Sequence, residues 1–372
     1  MPDKLYNSCR INLMFNLEDF KMKFRILTLL LALALVFCMV GCGNNSVDVD
    51  LSDKPAQSSE PEKTEPTLNP LTGLEMDASK IDQRPIAVMV NNIKVAQDVQ
   101  AGLNDADIVY EAYAEGGITR LVAVFKDSSK IERVGSIRSA RYSHIELATG
   151  HDAIYVHAGK NKTQAAPHMQ ALGIDNFDLN SGAPAAYGYR ISNGKASEHT
   201  LYTTGEKLEA GFKALNYRRN LKSTAENWQK FVSATSPVTP AEGVCNNLSV
   251  TMSTGYVSKF TYDANTGRYT RYNSSNVSKD YNSGNSVTFK NVLVLKTDVT
   301  DFPNDSTHVV KTHLEGGEGY YVSNGGFETI KWTKGDAFNP IKITKADGSD
   351  CPYNAGNTWV SLVDKNNSVT VE

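Results

Sequence analysis

The sequence predicts an α+β protein in which an N-terminal mixed sheet covered by helices is followed by an all-β C-terminal domain. Between residues 84 and 215, apolar runs typical of buried strands alternate with segments that carry helix caps. After residue 244 the helical patterns stop, and short alternating segments follow one another across turns rich in Asn, Asp and Gly. The length of 372 residues suits about two domains of this kind.

The composition places few limits on function but excludes some partners. The chain is 40% hydrophobic and 21% charged, with a formal net charge of −3. No region is basic enough for a nucleic-acid protein, so we expect no nucleic-acid partner. No HExxH motif and no Cys/His ligand spacing occurs. We therefore expect no metal site and no cofactor.

Residues 22–42 have the form of a lipoprotein signal peptide. Lys23 and Arg25 make a short positive region, and the apolar run that follows, residues 26–37, is too short to span a bilayer comfortably. The segment Met-Val-Gly-Cys that ends at Cys42 resembles the bacterial lipobox, whose cysteine is diacylated by palmitate-type chains and becomes the mature N-terminus. Two acyl chains would anchor the protein stably. A plain signal peptide or an N-terminal membrane anchor is the alternative.

The segments on either side of this signal are excluded from the predicted domains. Residues 1–21 are mixed and polar and are needed by no signal peptide, so we interpret them as a start-site extension before Met22. Residues 43–68 are rich in Ser, Pro, Glu, Asp and Lys and lack large apolar groups at their centre. Such a tract cannot bury a core and predicts a disordered tether.

Strand and helix patterns alternate through residues 69–234, which we assign to the N-terminal α+β domain. Residues 127–130 are predicted to form a hairpin turn, Ser136 to cap a helix, and Gly150 to follow the end of that helix. A capping box at residues 203–206 opens a further helix toward residue 215. The predicted strands are 84–92, 107–115, 119–127, 131–137 and 151–159, and the other predicted helices are 137–149 and 163–172.

The C-terminal part is predicted to be all β. Residues 235–243 hold two prolines and are interpreted as a linker between domains. Residues 244–372 then form the C-terminal β domain, a sandwich or open barrel, with one hairpin turn at residues 264–267.

The positions of the cysteines neither require nor exclude a disulfide. Of the five cysteines, Cys9 lies in the extension, Cys38 in the signal, and Cys42 at the lipidation site. Cys245 and Cys351 remain in the exported part, where an oxidising environment permits a bridge. Closing a loop of this length would add about 4 kcal/mol to the free energy of unfolding in the chain-entropy model. A bridge and two buried thiols are both consistent with the sequence.

Several blocks of sequence together resemble a known family. They are NPLTGL, RPIAVMVNN, ADIVYEAYAEGGITR, IERVGSIRSAR, DAIYVHAG, EHTLYT, YNSGNSVTFKNVLV and GNTWVSLV. In combination the chain is similar to the YerB-like bacterial lipoproteins, a two-domain family of unknown function. The resemblance implies an N-terminal α+β domain and a C-terminal β domain on the outer leaflet of a Gram-positive-type cell membrane. It implies no activity and no catalytic residues.

Arginines near the predicted helix at residues 137–149 mark a candidate anion site. Arg138 and Arg141 are three residues apart and would share a face of its first turn. A cation there opposes the helix dipole, so the position calls for a compensating anion. Backbone N–H groups at a helix start and guanidinium groups both bind phosphate or carboxylate. Arg120, which follows Gly116 and Gly117, could complete the cluster.

An internal ion network is the alternative for these arginines, with Glu111, Glu115 or Glu146 as the acid. Two histidines are further candidates for the site. His157 ends a predicted buried strand, where α/β sheets place ligand groups, and His199 could approach it through the fold. A hydrogen-bonded structural role is the alternative for a histidine at such a position.

These observations favour a lipid-anchored protein on the extracytoplasmic face of the membrane rather than an enzyme. We expect it to bind an anionic or glycan ligand of the envelope, such as a cell-wall fragment or a polyprenyl phosphate, or a partner protein. The predicted groove consists of Arg120, Arg138, Arg141, His157, Glu115 and His199.

Two alternative functions stay open. The strand–turn–strand–arginine order of residues 120–138 is similar to LytR-type phosphotransferases, which would act on a lipid-linked pyrophosphate, but the metal-binding aspartates are not evident. The other alternative is a scaffold without a small ligand.

Overall fold

The computed structural model describes residues 66–222, 229–303, 305 and 308–372. These residues all belong to one compact unit, Thr64–Glu372. The predicted extension, the signal peptide with Cys42, and the tether as far as residue 65 lie outside the described residues. None of the helices in the described part of the chain has the length and apolar character that crossing a bilayer requires.

The described residues form short helices and many strands. The α-helices are α1 (Tyr142–Thr149), α2 (Ala165–Leu172) and α3 (Gly205–Ala214), and 3-10 helices occur at Ala78–Lys80, Lys94–Val99, Ser128–Lys130, Ala183–Tyr187 and Ser197–His199. The strands are β1 (Ile86–Asn91), β2 (Ile108–Glu115), β3 (Ile118–Phe125), β4 (Val134–Gly135), β5 (Ile154–His157), β6 (Asn176–Asp178), β7 (Tyr189–Arg190), β8 (Leu201–Thr203), β9 (Phe231–Val232), β10 (Gly243–Val244), β11 (Asn247–Ser253), β12 (Tyr256–Asp263), β13 (Arg268–Asn273), β14 (Asn276–Val277), β15 (Thr288–Phe289), β16 (Asn291–Thr297), β17 (Val299–Asp301), β18 (Val310–Thr312), β19 (Gly316–Ser323), β20 (Gly326–Thr333), β21 (Lys342–Lys345), β22 (Tyr353–Asn354), β23 (Thr358–Asp364) and β24 (Val369–Val371).

An 11-stranded mixed sheet forms the centre of the molecule, in the order β10-β20-β19-β16-β23-β2-β3-β1-β5-β6, with β21 beside β20. Strand β1 pairs antiparallel with β3 and parallel with β5. Residues of β1 contribute alternately to two apolar clusters, one on each face of the sheet. Because both faces are covered, the strand is a continuous apolar run, which is what made it recognisable in the sequence. The predicted N-terminal mixed sheet is confirmed.

Helices cover both faces of the N-terminal part of this sheet. Helices α1 and α2 pack on one face through Ile145, Ala148 and Met169. Helix α3 packs on the other face through Leu208 and Phe212. Each of the three helices is short, so its stability comes from this packing rather than from intrinsic propensity.

The C-terminal part is all β, as predicted: no α-helix follows Ala214 among the described residues. A second sheet of six strands has the order β14-β13-β12-β11-β24, with β15 beside β13. This sheet packs against β16 and β23 of the central sheet around Trp359, which is fully buried against the rings of Phe260 and Phe289.

The central sheet contains strands from both sides of the predicted linker. Strand β2 pairs in parallel with β23, from Ile108 beside Thr358 to Glu111 beside Ser361. The segment predicted as a linker ends in β10, which pairs with β20 at the edge of the same sheet. The domain limits at residues 234 and 244 stay a prediction, but the strands on either side of them form one sheet.

The chain between β3 and α1 differs from the prediction. Residues Ser128–Lys130 form a 3-10 helix, and β4 leaves the central sheet to pair with β8, so the predicted hairpin is wrong. The helix predicted from residue 137 begins only at Tyr142, because the preceding backbone is extended and bonded elsewhere. The N–H groups of Ile137, Arg138 and Ala140 donate to Leu201, Met89 and Gly159, respectively, at 2.8–3.0 Å.

The two cysteines of the described chain are free thiols, so the disulfide alternative is wrong. Cys245 belongs to the apolar cluster on one face of the central sheet and Cys351 to the cluster on the other face. Burial raises the pKa of the Cys245 thiol to about 11 and that of the Cys351 thiol to about 12.

Candidate functional site

Glu115, the last residue of β2, binds two of the three predicted arginines. Arg120 donates from Nη2 to Oε1 of Glu115 at 2.7 Å. Arg141 donates from Nε to Oε2 at 2.5 Å and from Nη2 to Oε1 at 2.9 Å. The side chain of Arg120 is 3% exposed and also donates to the carbonyl of Ser139. We call Arg120, Arg138, Arg141 and Glu115 the arginine cluster.

Arg141 is the N-cap residue of α1 rather than a member of its first turn. It makes no side-chain cap hydrogen bond, and its guanidinium instead turns to Glu115 and to the carbonyls of Ala140 and Ser139. The Glu115 carboxylate is therefore the anion that compensates a cation at the start of this helix. For Arg120 and Arg141 the geometry is that of an internal ion network.

The arginine cluster nevertheless holds more positive than negative charge. Burial, followed by repulsion from Arg141, lowers the pKa of Arg120 to about 9 despite the opposing effect of Glu115. Arg138 donates to the carbonyl of Glu198 at 3.1 Å, while its Nε is buried without a hydrogen-bond partner in the described part of the chain. A hollow of about 260 Å³ beside the cluster is lined by Glu115, Ser139, Arg141, Lys160, Asn161 and Val309. Ligand binding by the cluster stays a prediction.

The two candidate histidines are engaged in hydrogen bonds elsewhere. His157 is fully buried, with Nδ1 2.8 Å from the carbonyl of Gly159 and Nε2 3.1 Å from Oδ1 of Asn176. Burial lowers its pKa, which favours the neutral ring. His199 places Nδ1 2.9 Å from Nδ2 of Asn91. The predicted residues thus do not converge on one open groove.

A larger cleft of about 700 Å³ lies at the turn between β2 and β3. We call it the polar cleft. Its lining residues come from four segments, within residues 92–97, 116–119, 253–256 and 273–276. They are mainly amide, hydroxyl and glycine residues. They include no Asp or Glu, and Lys94 is the charged member.

The polar cleft has a floor of buried hydrogen bonds. Asn92 donates from Nδ2 to Oε1 of Glu111 at 2.8 Å, to the hydroxyl of Thr119 at 2.8 Å and to that of Tyr256 at 3.2 Å. Thr119 in turn donates to Oε1 of Glu111 at 2.9 Å, and Tyr256 donates to Oδ1 of Asn273 at 3.3 Å. These bonds fix the side chains that a ligand would meet at the bottom of the cleft.

A buried cation lies beneath this floor. Arg271 and Glu111 are both 0% exposed, with Nη2 of Arg271 4.0 Å from Oε1 of Glu111. Arg271 donates at 2.8 Å to the hydroxyls of Tyr256 and Ser278 and lies 4.2 Å above the ring of Trp359. Oε2 of Glu111 and Nε of Arg271 have no hydrogen-bond partner among the described residues. The opposite charges make the burial of each group tolerable.

The rim of the polar cleft offers groups without protein partners. The side chains of Thr254, Ser275 and Asn276 make no hydrogen bond to the rest of the described chain. Ile118 lines the same cleft and is 40% exposed. The turn before it uses Gly116 and Gly117 at φ 53° and 78°, a backbone conformation that brings the two strands together without a side chain in the way.

Sequence reasoning missed this cleft. Its lining comes from four short segments spread between residues 92 and 276, and no periodic pattern in the sequence links such distant segments. The one local signal is the polar tetrapeptide at residues 273–276, Asn-Ser-Ser-Asn, which was interpreted only as part of a β region. Among the described residues, no group of three or more His, Cys, Asp or Glu is placed to hold a metal ion.

Comparisons with known proteins agree with the fold. Family models described as the N-terminal and C-terminal domains of a protein of unknown function, DUF3048, match residues 71–218 and 248–360. YerB of Bacillus subtilis (strain 168), a candidate lipoprotein, is 29% identical over 304 residues, which cover 79% of this chain and 85% of YerB. The crystal structure of Bacillus subtilis YerB matches with a TM-score of 0.68 and 27% identity, over 82% of this chain and 99% of that chain.

Proposed function

Since this chain belongs to the two-domain YerB-like family, we propose that it is a lipid-anchored envelope protein that binds a glycan in its polar cleft. The observation that carries the proposal is the lining of the cleft. It combines amide and hydroxyl groups with exposed aliphatic surface and contains no acid. A sugar presents the complementary set, hydroxyl groups around C–H faces without charge.

The floor and the rim would have different roles in binding. The hydrogen bonds of Asn92, Thr119 and Tyr256 are already made, so these side chains are held in place before a ligand arrives. Fixed side chains reduce the entropy lost on binding. The unpartnered groups of Thr254, Ser275 and Asn276 are then available to the hydroxyls of a ligand.

The lipid anchor is inferred from the sequence and from the similarity to YerB. Cys42 is the predicted acylated residue, and residues 43–68 would hold the folded unit away from the bilayer. The similarity to a candidate lipoprotein supports the anchor. Export to the outer face would place the polar cleft among the glycans of the cell envelope.

The arginine cluster offers less to an anionic ligand. The two carboxylate oxygens of Glu115 already accept three hydrogen bonds from Arg120 and Arg141. The hollow beside Glu115 is also less than half the volume of the polar cleft. A polyprenyl phosphate bound there, the LytR-like phosphotransferase and the scaffold all stay predictions.

Binding to purified wall glycan tests the proposal. The mature chain, produced without its acyl anchor, would be incubated with insoluble peptidoglycan and titrated with N-acetylglucosamine oligomers by calorimetry. We expect Asn276→Ala to weaken binding about 5-fold, the loss that follows when one neutral hydrogen bond of about 1 kcal/mol is removed. The matched control is Asn265→Ala, an exposed asparagine in the turn at the opposite end of β13. Equal binding by both variants and the parent protein would contradict the proposal.

A further inference from the structure

The polar cleft is not uniformly polar. Ile118, the first residue of β3, is 40% exposed, and Ile93, just after β1, lines the cleft and is half-buried. Aliphatic side chains left open to water at the wall of a polar cleft gain free energy when an apolar group of a ligand covers them.

Amide and hydroxyl groups belong to the same lining. Asn276 has a side-chain amide without a protein partner in the described chain, and the hydroxyl of Thr254 is likewise unpartnered. Gln97 uses its Nε2 to donate to the carbonyl of Asn92 at 3.1 Å, while its Oε1 makes no hydrogen bond to a described residue. The cleft thus offers donors, acceptors and aliphatic carbon together.

Charge adds a third property. Lys94 is exposed and makes no ion pair with the described residues, and the lining has no carboxylate to balance its charge. A ligand that carries an ammonium group would meet a like charge in the cleft. A neutral ligand would not.

From these three properties we propose that the polar cleft selects N-acetylated amino sugars over the same sugars without the acetyl group. The inference rests on the proposed function and adds the ligand class. An acetamido group carries an N–H donor, a carbonyl acceptor and a methyl group within one planar unit. These match the unpartnered amide and hydroxyl groups and the isoleucine surface. Removal of the acetyl group takes away the methyl and the carbonyl and leaves an ammonium, which Lys94 repels.

Calorimetry with three tetrasaccharides separates this inference from the proposed function. The mature chain without its acyl anchor would be titrated with the tetramers of N-acetylglucosamine, glucosamine and glucose. We expect the acetylated tetramer to bind at least about 10-fold more tightly than the glucosamine tetramer, which corresponds to about 1.4 kcal/mol. The glucose tetramer, which lacks both the acetyl group and the charge, should fall between them.

Two variants assign the selectivity to residues. Ile118→Ser should reduce the preference for the acetylated tetramer several-fold, and Lys94→Gln should improve binding of the glucosamine tetramer. The control is Val244→Ser, which changes an aliphatic residue that is 67% exposed on β10, outside the cleft lining.

The outcomes are distinct. No binding of any tetrasaccharide overturns the proposed function. Equal binding of the acetylated and glucosamine tetramers leaves glycan binding in place and overturns the inference. A preference that both Ile118→Ser and Lys94→Gln leave unchanged overturns it as well.

Discussion

Arg141 holds both carboxylate oxygens of Glu115, with Nε 2.5 Å from Oε2 and Nη2 2.9 Å from Oε1. This contact ties the end of β2 to the start of α1. Arg120, on β3, binds the same carboxylate from the other strand of the hairpin. The turn that follows Glu115 forms a wall of the polar cleft, so the arginine cluster fixes the position of that wall.

Replacement of Glu115 by Gln should destabilise the protein. Arg120 would stay buried without its counter-ion, and a buried charge that loses its partner costs several kcal/mol. Because Glu115 is itself 23% exposed, we expect a smaller loss of about 2 kcal/mol in the free energy of unfolding. Urea denaturation followed by circular dichroism would measure it. Glu318→Gln, at an exposed glutamate without an ion pair in the described chain, should leave the midpoint in place. A urea midpoint for Glu115→Gln equal to that of the parent protein would contradict the role of Glu115 as the counter-ion of Arg120.

The contribution of Glu115 should depend on pH. Burial opposes ionisation of this carboxyl, but Arg120 and Arg141 outweigh burial and hold its pKa below the ordinary value. A carboxylate whose pKa is lower in the folded state stabilises the protein above its pKa in the unfolded state. That stability is lost as the pH falls through the folded-state pKa. The difference in unfolding free energy between the parent protein and Glu115→Gln should therefore be full near neutral pH and shrink below about pH 4. A difference that stays constant down to pH 3 would show that the ion pairs do not cause it.

Arg271→Met should lower the free energy of unfolding by about 3–5 kcal/mol, since it leaves the buried carboxylate of Glu111 without a cation. The double variant Glu111→Gln, Arg271→Met should recover part of that loss, because no unpaired charge remains. A double-mutant cycle measured by urea denaturation gives the coupling energy between the two residues. Additive effects of the two substitutions would mean that the charges do not compensate each other.

Gly255→Trp should block the polar cleft without unfolding the protein. A Cβ atom at Gly255 would meet no other atom within 4 Å, so the backbone accepts a side chain there. The residue lines the cleft, and a large ring at its edge competes with a ligand for space. We expect at least about 10-fold weaker binding of the N-acetylglucosamine tetramer, a cost of about 1.4 kcal/mol, with the urea midpoint unchanged. Gly255→Ala is the matched control and should bind like the parent protein. Full binding by Gly255→Trp would place the ligand elsewhere.

Cys245 and Cys351 should be unreactive in the folded protein. Burial raises the pKa of both thiols, to about 11 and about 12, and the thiolate is the reactive form. With the anchor cysteine removed, a thiol-specific chromogenic reagent should detect no reactive thiol in native protein and both thiols in concentrated guanidinium. Absence of reaction in guanidinium without a reductant would indicate a disulfide and contradict the structure.

The central strands could be predicted from the sequence because their burial produces a recognisable pattern in the local sequence. A strand covered on both faces, such as β1, is a continuous apolar run, and the run is visible without knowledge of its neighbours. The end of α1 at Gly150 and the start of α3 beside Thr204 also follow from local cap residues. Long-range contacts produce no such pattern in the local sequence. The late start of α1 depends on backbone bonds from Ile137 and Arg138 to distant strands.

Part of the candidate site could likewise be predicted from the sequence, and part could not. The presence of Glu115 near Arg120 could be predicted from their positions on neighbouring strands, and the ion network was one of two alternatives. The choice between them needed the position of Arg141, which is set by tertiary packing. The polar cleft could not be predicted, because Asn92, Tyr256 and Asn273 come together only when both halves of the chain are folded.

The parallel pairing of Ile108 with Thr358 has a consequence for biogenesis. Strand β2 lies between β3 and β23, and β23 is close to the C-terminus. Until β23 takes its place beside it, β2 has one unpaired edge, and such an edge invites pairing with another molecule. The folding chain is therefore vulnerable to aggregation until residues 358–364 have joined the sheet. A truncation that removes only the last few dozen residues would expose the middle of the sheet rather than shorten its end.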